Sequence, residues 1–160
     1  MRLQVGKGID NYIDQLGNLE VTAPEAIGKA IYAGADIIAD AIKANIEKMP
    51  VDDTPHHKEK ITGIRSIQKQ GLLHSFGIAR LKDDNGYWNV KAGFDGYNNL
   101  KTKKYPKGQP NAMIARTFES GNSFTKKTPF VGPAIRAAKD TAEMKMAQII
   151  DEETSKIMNS

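Results

Sequence analysis

The sequence has no cysteine, one tryptophan and no apolar run long enough to span a membrane. Without cysteine it has neither disulfides nor thiolate metal sites, which fits a protein made in a reducing cytosol. Its start lacks the apolar core of a signal peptide, and the most apolar run, Ala35 to Ile42, is broken by Asp36 and Asp40. We therefore expect neither export by a signal peptide nor a contact with membrane.

What remains is the composition of an ordinary globular protein. The 160 residues are 39% hydrophobic and 26% charged, which permits a buried core and excludes wholesale disorder. The sequence predicts a single domain from 1 to 160.

Positive charge is concentrated in the middle of the chain. The net charge is +4, but residues 58–107 hold eleven Lys or Arg against four Asp or Glu, so the remainder is slightly acidic. Such a basic segment favours an anionic partner, either nucleic acid or an acidic protein face. A solvated loop surface is the alternative.

Apolar periodicity predicts two long helices and a short one. Asp10 to Gly17 reads as a short N-terminal helix. Thr22-Ala23-Pro24-Glu25 has capping-box spacing and opens a helix that ends before Pro50. The last helix is expected from Pro133, which fits the first turn, to about Met158. The predicted apolar stripes are Ile27, Ile31, Gly34, Ile38, Ala41, Ile42 and Ile46 in the first long helix, and Ile135, Ala138, Ala142, Met146, Ile149 and Ile157, widened by Met144 and Ile150, in the last.

Two glycines within the first long helix indicate close packing. Gly28 and Gly34 each cost a helix about 0.5–1 kcal/mol relative to alanine. We expect a neighbouring helix or sheet to approach the backbone at these positions.

A β-hairpin is predicted in the middle of the chain. Leu73 to Leu81 and Tyr87 to Phe94 flank Asn85-Gly86, a dipeptide suited to a turn with positive φ. Alternation places one face of the second strand in the core: Trp88, Val90, Ala92 and Phe94. Exposed basic loops are expected at about 50–70 and 95–111, while 112–118 fits either a helix or a strand. The fold class is therefore α+β, a small mainly antiparallel sheet packed against two long helices.

The segment before the last helix reads as a structural anchor. Phe130 lies where its ring can fold under the first helical turn, and Pro129 stiffens the approach. Glu119 has no acid or base partner in the sequence, so we expect it to anchor the turn at Gly121 or to join an interface ion pair. The predicted anchor residues are Phe118, Glu119, Gly121, Pro129, Phe130 and Pro133.

No catalytic or metal-binding pattern stands out. His56, His57 and Glu59 are the nearest approach to a ligand set, but adjacent histidines point in different directions. His74 lies outside any nucleophile motif, and Gly6-Lys7-Gly8 lacks the third glycine of a dinucleotide fingerprint. We expect no enzyme, no cofactor and no metal.

The loop at 95–111 combines aromatic and basic residues. Its tyrosines would stack on the bases of single-stranded nucleic acid or contribute to a protein interface. The interface or DNA-facing candidates are Lys101, Lys103, Lys104, Lys107, Tyr97 and Tyr105.

Two of these segments resemble a known family. Phe118-Glu119-Ser120-Gly121, followed by Pro129-Phe130-Val131-Gly132-Pro133-Ala134 at the start of the last helix, resembles the tail-component family of long-tailed double-stranded DNA bacteriophages and prophages. Gly71-Leu72-Leu73-His74-Ser75-Phe76 is a looser, shifted counterpart of a third family segment. The order of elements agrees over nearly the whole chain.

The resemblance implies a non-enzymatic structural protein of the virion, made in the host cytoplasm. It implies action in tail completion or head-to-tail joining, as a ring of six copies in the neck or tail. The implied partners are further copies of the chain, neighbouring neck, connector and tail-tube proteins, and double-stranded DNA passing through the channel. The alternatives are a stand-alone nucleic-acid-binding protein that uses the basic 58–107 surface and, more remotely, a metal-dependent hydrolase that uses His56 and His57.

Overall fold

The computed structural model describes the backbone of residues 7–55 and 59–159 and the side chains of these ranges from residue 23 onward. Within these ranges the chain is α+β, which confirms the predicted class. The elements in order are α1 (Lys7–Lys48), α2 (Ser66–Ser75), β1 (Phe76–Ile78), β2 (Lys82–Asp84), β3 (Tyr87–Asn89), β4 (Ala92–Phe94), α3 (Asn111–Ser120) and α4 (Val131–Met158).

Helix α1 is continuous where the sequence predicts two helices. It runs through Gly17 and has Pro24 inside it, so the separate short helix, its stop at Gly17 and the new start after Thr22 are wrong. A glycine costs a helix interior about 1 kcal/mol and a proline about 3 kcal/mol. Both penalties are local, and the helix-forming residues on either side outweigh them. Pro24 removes one backbone N–H, so a bend is expected there.

Helices α1 and α4 run antiparallel. The Lys29 ammonium lies 3.2 Å from the Glu153 carboxylate near the end of α4. At the other end, the Asn45 side-chain amide donates to the carbonyl oxygen of Phe130 over 3.1 Å. This pair of helices forms one layer of the molecule.

Gly28 and Gly34 of α1 lie at close contacts, as predicted. A Cβ added at Gly34 would lie 2.5 Å from the sulfur of Met146 on α4. One added at Gly28 would lie 3.1 Å from Leu81, between β1 and β2. The prediction of a close neighbour is confirmed at both positions: helix α4 approaches at Gly34, and the part of the hairpin between its two ladders approaches at Gly28.

Small residues, rather than the larger apolar ones, fill the buried side of α4. Ala134, Ala138 and Ala142 are buried, while Ile135 is 41% exposed and Met144 is 74% exposed. The prediction that Ile135 and Met144 belong to the buried stripe is therefore wrong. On α1, likewise, the alanines Ala26, Ala30 and Ala39 are buried and the isoleucines Ile27, Ile31 and Ile38 only half-buried. The helices approach so closely that large side chains are displaced to the flanks of the contact.

The hairpin is confirmed but is split into two short ladders. In the outer ladder Lys82 lies opposite Asn89, and in the inner one Phe76 lies opposite Phe94. Asn85 (φ 57°) and Gly86 (φ 87°) form the predicted turn. Between the ladders, 79–81 face 90–91, so one extra residue interrupts the pairing as in a β-bulge.

The boundaries around the hairpin differ from the prediction. Residues 66–75 form α2, so the loop predicted to reach 70 ends earlier and the strand predicted from Leu73 begins at Phe76. The sequence does not predict this helix because Gly71, a poor helix former, lies inside it. Position 71 requires glycine because an added Cβ would lie 2.6 Å from Asn111 and 2.7 Å from Asn98. Ala92 is exposed, against prediction, because it lies at the outer end of the β1–β4 pair, away from the core.

The core lies where the C-terminal half of α1 meets α2, α3, the hairpin and the start of α4. The largest fully buried side chains are Phe130, Ile46, Ile64 and Leu72. Residues 112–118, which fit either a helix or a strand, are part of α3, and this helix buries Ile114, Ala115 and Phe118 at helical spacing. In the described part of the chain, no helix combines the length and apolar character needed to cross a membrane.

Candidate functional site

Glu119 joins the end of α3 to the beginning of α4. Its carboxylate accepts hydrogen bonds from the backbone N–H groups of Phe130 (2.7 Å), Val131 (2.9 Å) and Gly132 (2.9 Å). The first four N–H groups of a helix have no partner within the helix. Three of these four donate to Glu119, and the fourth position is Pro133, which has no N–H. Every donor at this helix end is thereby accounted for.

The charge of Glu119 suits this position. Burial alone would raise its pKa, but the three backbone hydrogen bonds and the nearby charge of Lys127 outweigh it and lower the pKa below its ordinary value. The carboxylate is therefore ionised at neutral pH and faces the positive end of the helix dipole. A Cβ at Gly132 would come within 3.3 Å of the carboxylate, so a residue without a side chain favours its approach.

The helix begins two residues before the predicted start. The sequence predicts Pro133 as the first helical residue and Gly132 outside the helix, but α4 starts at Val131. Glu119 explains the difference, because its carboxylate replaces the missing backbone acceptors for the residues before the proline. It contacts these amides and not the turn at Gly121, so that part of the prediction is wrong.

The loop between α3 and α4 is tightly folded. Gly121 ends α3 at φ 71°, and a Cβ there would lie 2.9 Å from the amide nitrogen of Lys127, so this position requires glycine. The Asn122 side chain accepts from the N–H groups of Phe124 (2.8 Å) and Thr125 (2.7 Å). Asn122 was missed in the sequence, although a Gly-Asn-Ser run is typical of such a side-chain-capped turn.

Phe130 connects this junction to the core. Its side chain is 1% exposed, and its ring meets Phe94 edge-on at 6.0 Å between centroids. Phe94 in turn lies 4.9 Å from Phe76 across the inner ladder. Phe118 is also buried, Pro133 is half-buried and Pro129 is exposed. We call Phe118, Glu119, Gly121, Phe130 and Pro133 the α3–α4 clamp.

Comparison with protein-family models, curated proteins and solved structures finds no match for this chain.

The basic loop that follows the hairpin presents the predicted lysines to solvent. Its four lysines are exposed: Lys101, Lys103, Lys104 and Lys107. Tyr97 is 64% exposed. Tyr105 is half-buried; its hydroxyl lies 3.1 Å from the sulfur of Met113, and the Lys104 ammonium lies 5.5 Å from its ring centroid. Tyr97 is thus open to a partner, whereas the ring of Tyr105 already has one.

This loop is an ordered structure. The Asn98 side chain, which is 4% exposed, accepts from the N–H groups of Leu100 (2.9 Å) and Gln109 (3.1 Å). The Asn98 N–H donates to the carbonyl oxygen of Gln109 over 2.9 Å. Gly108, at φ 106°, lies directly against the Asn98 backbone and leaves no room for a side chain. The loop therefore presents its lysines from a fixed backbone.

A surface groove of about 910 Å³ lies between α3, the segment 59–65 and the loop 122–125. Met113 and Phe118 of α3 line one side, and Phe124, 77% exposed, lies at the rim. Tyr105 also lines it. Sequence reasoning missed the groove, because it depends on the separate segments 59–65 and 122–125, which meet in a bridge between Ile61 and Thr125.

The possible metal ligands His56, His57 and Glu59 are not shown to form a site. His56 and His57 lie outside the described residues, and Glu59 is exposed. Within the part of the chain that the structure describes, no three His, Cys, Asp or Glu side chains gather to hold a metal ion.

Proposed function

We propose that the chain is a structural protein of a tailed-bacteriophage virion that acts in tail completion or head-to-tail joining as a ring in the neck or tail. The α3–α4 clamp carries the proposal. The two segments that resemble the phage family lie apart in sequence, yet Glu119 of one binds three backbone N–H groups of the other. One structural unit thus accounts for both resemblances.

The clamp suits a protein whose task is assembly. It fixes the direction of α4 relative to α3 and, through Phe130 and Phe94, relative to the hairpin. Copies in a ring must present two complementary surfaces at a constant angle, because a heterologous contact closes only when its rotation is reproduced at every step. In this proposal six copies form the ring, the ordered basic loop faces neighbouring proteins or DNA, and no covalent step takes place.

The bonding of Glu119 supports a structural role over a catalytic one. An acid or base catalyst needs an oxygen within reach of substrate. Here both carboxylate oxygens accept backbone hydrogen bonds at 2.7–2.9 Å. Its lowered pKa also favours a permanent anion over a group that exchanges protons near neutral pH.

The function is tested in assembling particles. The gene for this chain is co-expressed with its flanking genes. Tails and joined particles made with and without the chain are then examined by electron microscopy. We expect a ring at the end of the tail tube or at the connector, and unjoined heads and tails when the gene is deleted. Infectious particles of normal form without this gene would overturn the proposal.

A second candidate is stand-alone nucleic-acid binding by the basic 58–107 surface. The exposed lysines beside exposed Tyr97 favour it, whereas the occupied ring of Tyr105 weighs against base stacking there. Fluorescence anisotropy with labelled DNA, in low and near-physiological salt, decides between them. Salt-dependent binding lost in Lys103→Glu/Lys104→Glu but kept in Lys43→Glu/Lys145→Glu, which makes the same charge change outside the 58–107 surface, would support this candidate. Absence of binding near physiological salt would end it.

A further inference from the structure

A small cavity lies where α2 meets the start of the basic loop. It has a volume of about 330 Å³ and lies between residues 67–75, residues 95–99 and Asn111 at the start of α3. This volume is at the lower end of the range for small-ligand sites. No lysine or arginine is among the described residues that line it. Most of the lining side chains are polar: Gln70, His74, Ser75, Asp95, Asn98 and Asn99.

The side chain of Asn111 contributes a buried acceptor without a donor. Asn111 is 3% exposed, and its Oδ1 atom has no hydrogen-bond partner among the described residues. The orientation of the amide is fixed, because its nitrogen donates to the carbonyl oxygen of Asp95 over 2.9 Å. Buried polar atoms nearly always have a partner, so this one indicates a donor from outside the chain.

Gly71 places this oxygen at the wall of the cavity. Gly71 and Asn111 both line the cavity, and a Cβ added at Gly71 would lie 2.6 Å from Oδ1. Any larger residue at this position would press against the oxygen and cover it. Glycine is costly in a helix interior, and here it keeps side-chain atoms away from the oxygen.

The other groups of the cavity that remain available are also acceptors. The Asp95 carboxylate is exposed and makes no hydrogen bond or ion pair with the described residues. The Ser75 hydroxyl donates to the carbonyl oxygen of Leu72 over 3.4 Å, so its own oxygen can accept. The amide nitrogen of Asn98, by contrast, already donates to Gln109 over 3.3 Å. A matching occupant therefore donates hydrogen bonds and carries positive charge.

The geometry favours a planar cation over a compact one. Tyr97 lines the cavity and is 64% exposed, and arginine stacks on such rings more often than lysine does. A guanidinium carries five N–H donors in one plane and contacts a carboxylate through two of them. A calcium ion takes six to eight oxygen ligands, whereas Asp95 is the one carboxylate among the described lining residues.

We propose that this cavity binds a guanidinium group, which donates to the Asp95 carboxylate and to Oδ1 of Asn111 and lies against the ring of Tyr97. The group comes from an arginine side chain of a partner protein or from a free guanidino compound. This inference goes beyond the virion role and does not depend on it, because the cavity contains no residue of the α3–α4 clamp.

Two-dimensional NMR with methylguanidinium as the probe tests the site. We expect saturable shifts of the Asn111 side-chain amide and the Gly71 N–H, with a Kd of about 1–10 mM for so small a ligand. Methylammonium should bind about tenfold more weakly, because it lacks the planar set of donors. Absence of saturable shifts with methylguanidinium, or equal affinity for methylammonium, would overturn the proposal. Saturation of the same resonances by calcium chloride at lower concentration would also overturn it.

Two substitutions of exposed residues test the contacts without disturbing the core. Asp95→Asn should weaken methylguanidinium binding by about tenfold, and Tyr97→Ala should weaken it by about threefold. The matched controls Asp140→Asn and Tyr87→Ala change exposed residues outside the cavity and should bind like the wild type. Far-ultraviolet circular dichroism checks that each variant folds. Wild-type affinity in Asp95→Asn would contradict the proposed contact.

Two further probes identify the source of the guanidinium. Free arginine and a blocked tripeptide with arginine between two glycines are titrated in the same way. Tighter binding of the tripeptide would assign the cavity to an arginine of a partner protein, and tighter binding of free arginine would assign it to a small guanidino compound. Either result supports the site, and absence of binding by both would overturn it.

Discussion

Glu119 shows how much of the junction between α3 and α4 depends on one carboxylate. It reaches across 11 residues of chain to the N–H of Phe130, and the same group satisfies the next two amides. Without it, these buried or half-buried donors would lie against a helix end with no acceptor. The direction of α4 would then depend on packing at Phe130 alone.

Removal of this carboxylate should destabilise the fold. We expect Glu119→Ala to lower the free energy of unfolding by about 1–3 kcal/mol, because three N–H groups lose a charged acceptor. Glu119→Gln, which keeps one oxygen, should cost less. Urea unfolding measures both. The control is Glu143→Ala, an exposed residue of α4, expected to change stability by less than about 0.5 kcal/mol. Equal stability of Glu119→Ala and the wild type would contradict the role of the clamp.

The lowered pKa of Glu119 makes its contribution pH-dependent. Since the folded-state pKa lies below the ordinary value of about 4.3, the stabilisation is complete above that value and is lost as pH falls through the folded pKa. The stability difference between wild type and Glu119→Gln should therefore be constant from pH 7 to 5 and shrink below about pH 4.

Urea unfolding at each pH checks this prediction. Glu153 also has a lowered pKa, from its hydrogen bonds to Lys156 and Lys29, but it is present in both proteins and cancels in the difference. A difference that stays the same down to pH 3 would show that the Glu119 carboxylate is not preferentially stabilised in the folded state.

At the scale of elements, the contact between α1 and α4 depends on small side chains. Gly34 faces Met146, and alanines occupy the buried side of α4. Because these residues lack bulk, the two helix backbones can approach closely along the contact. This packing holds α4 against α1.

A larger residue at Gly34 should force the helices apart. We expect Gly34→Leu to lower the free energy of unfolding by about 1–3 kcal/mol through overpacking against Met146. Ala137→Leu on the exposed side of α4 is the matched control, with an expected change below about 0.5 kcal/mol. Thermal and urea unfolding report both. A neutral Gly34→Leu would mean that the contact is looser than the structure shows.

The sequence predicted those elements that are determined by residues close together in the chain. Asn85-Gly86 marked its turn, and the periodicity after Pro133 marked α4. The continuity of α1 was missed because Gly17 and Pro24 lie inside it, and both residues usually end a helix. The presence of α2 was missed because Gly71, a poor helix former, lies in it against Asn98 and Asn111. Such contacts join residues that are distant in the sequence, so they produce no periodic pattern in it.

The candidate site divides in the same way. Phe130 and Pro133 were recognised as anchor residues because they lie at the start of a predicted helix. Glu119 was assigned a structural role because the sequence offers it no acid or base partner. The acceptor role of Glu119 towards the α4 amides was not predicted, because it requires the loop to fold back on itself. The groove depends on three separate segments and gave no sequence signal.

At the scale of the whole molecule, charge separation gives the chain a direction. Asp151, Glu152 and Glu153 lie in the last turns of α4, and exposed Lys126 and Lys127 lie just before its first turn. Identical copies with this pattern attract head to tail and repel when like ends meet. A directional contact of this kind is what a ring requires.

Self-association should therefore weaken with salt. The Debye length falls from about 10 Å at 0.1 M to about 3 Å at 1 M, so exposed charge pairs are screened. In sedimentation velocity across this range, the wild type should shift from the assembled form towards the single chain as salt rises. The shift should be smaller for Lys103→Glu/Lys104→Glu, in which two exposed lysines are replaced. Association that strengthens with salt would point to an apolar contact instead.

The most direct test of the account is the mass of the purified protein in solution by native mass spectrometry, alone and with the products of its flanking genes. We expect one closed assembly of six copies of the 17.6 kDa chain. A single chain at every concentration and with every partner, or an open ladder of masses without a limit, would contradict it.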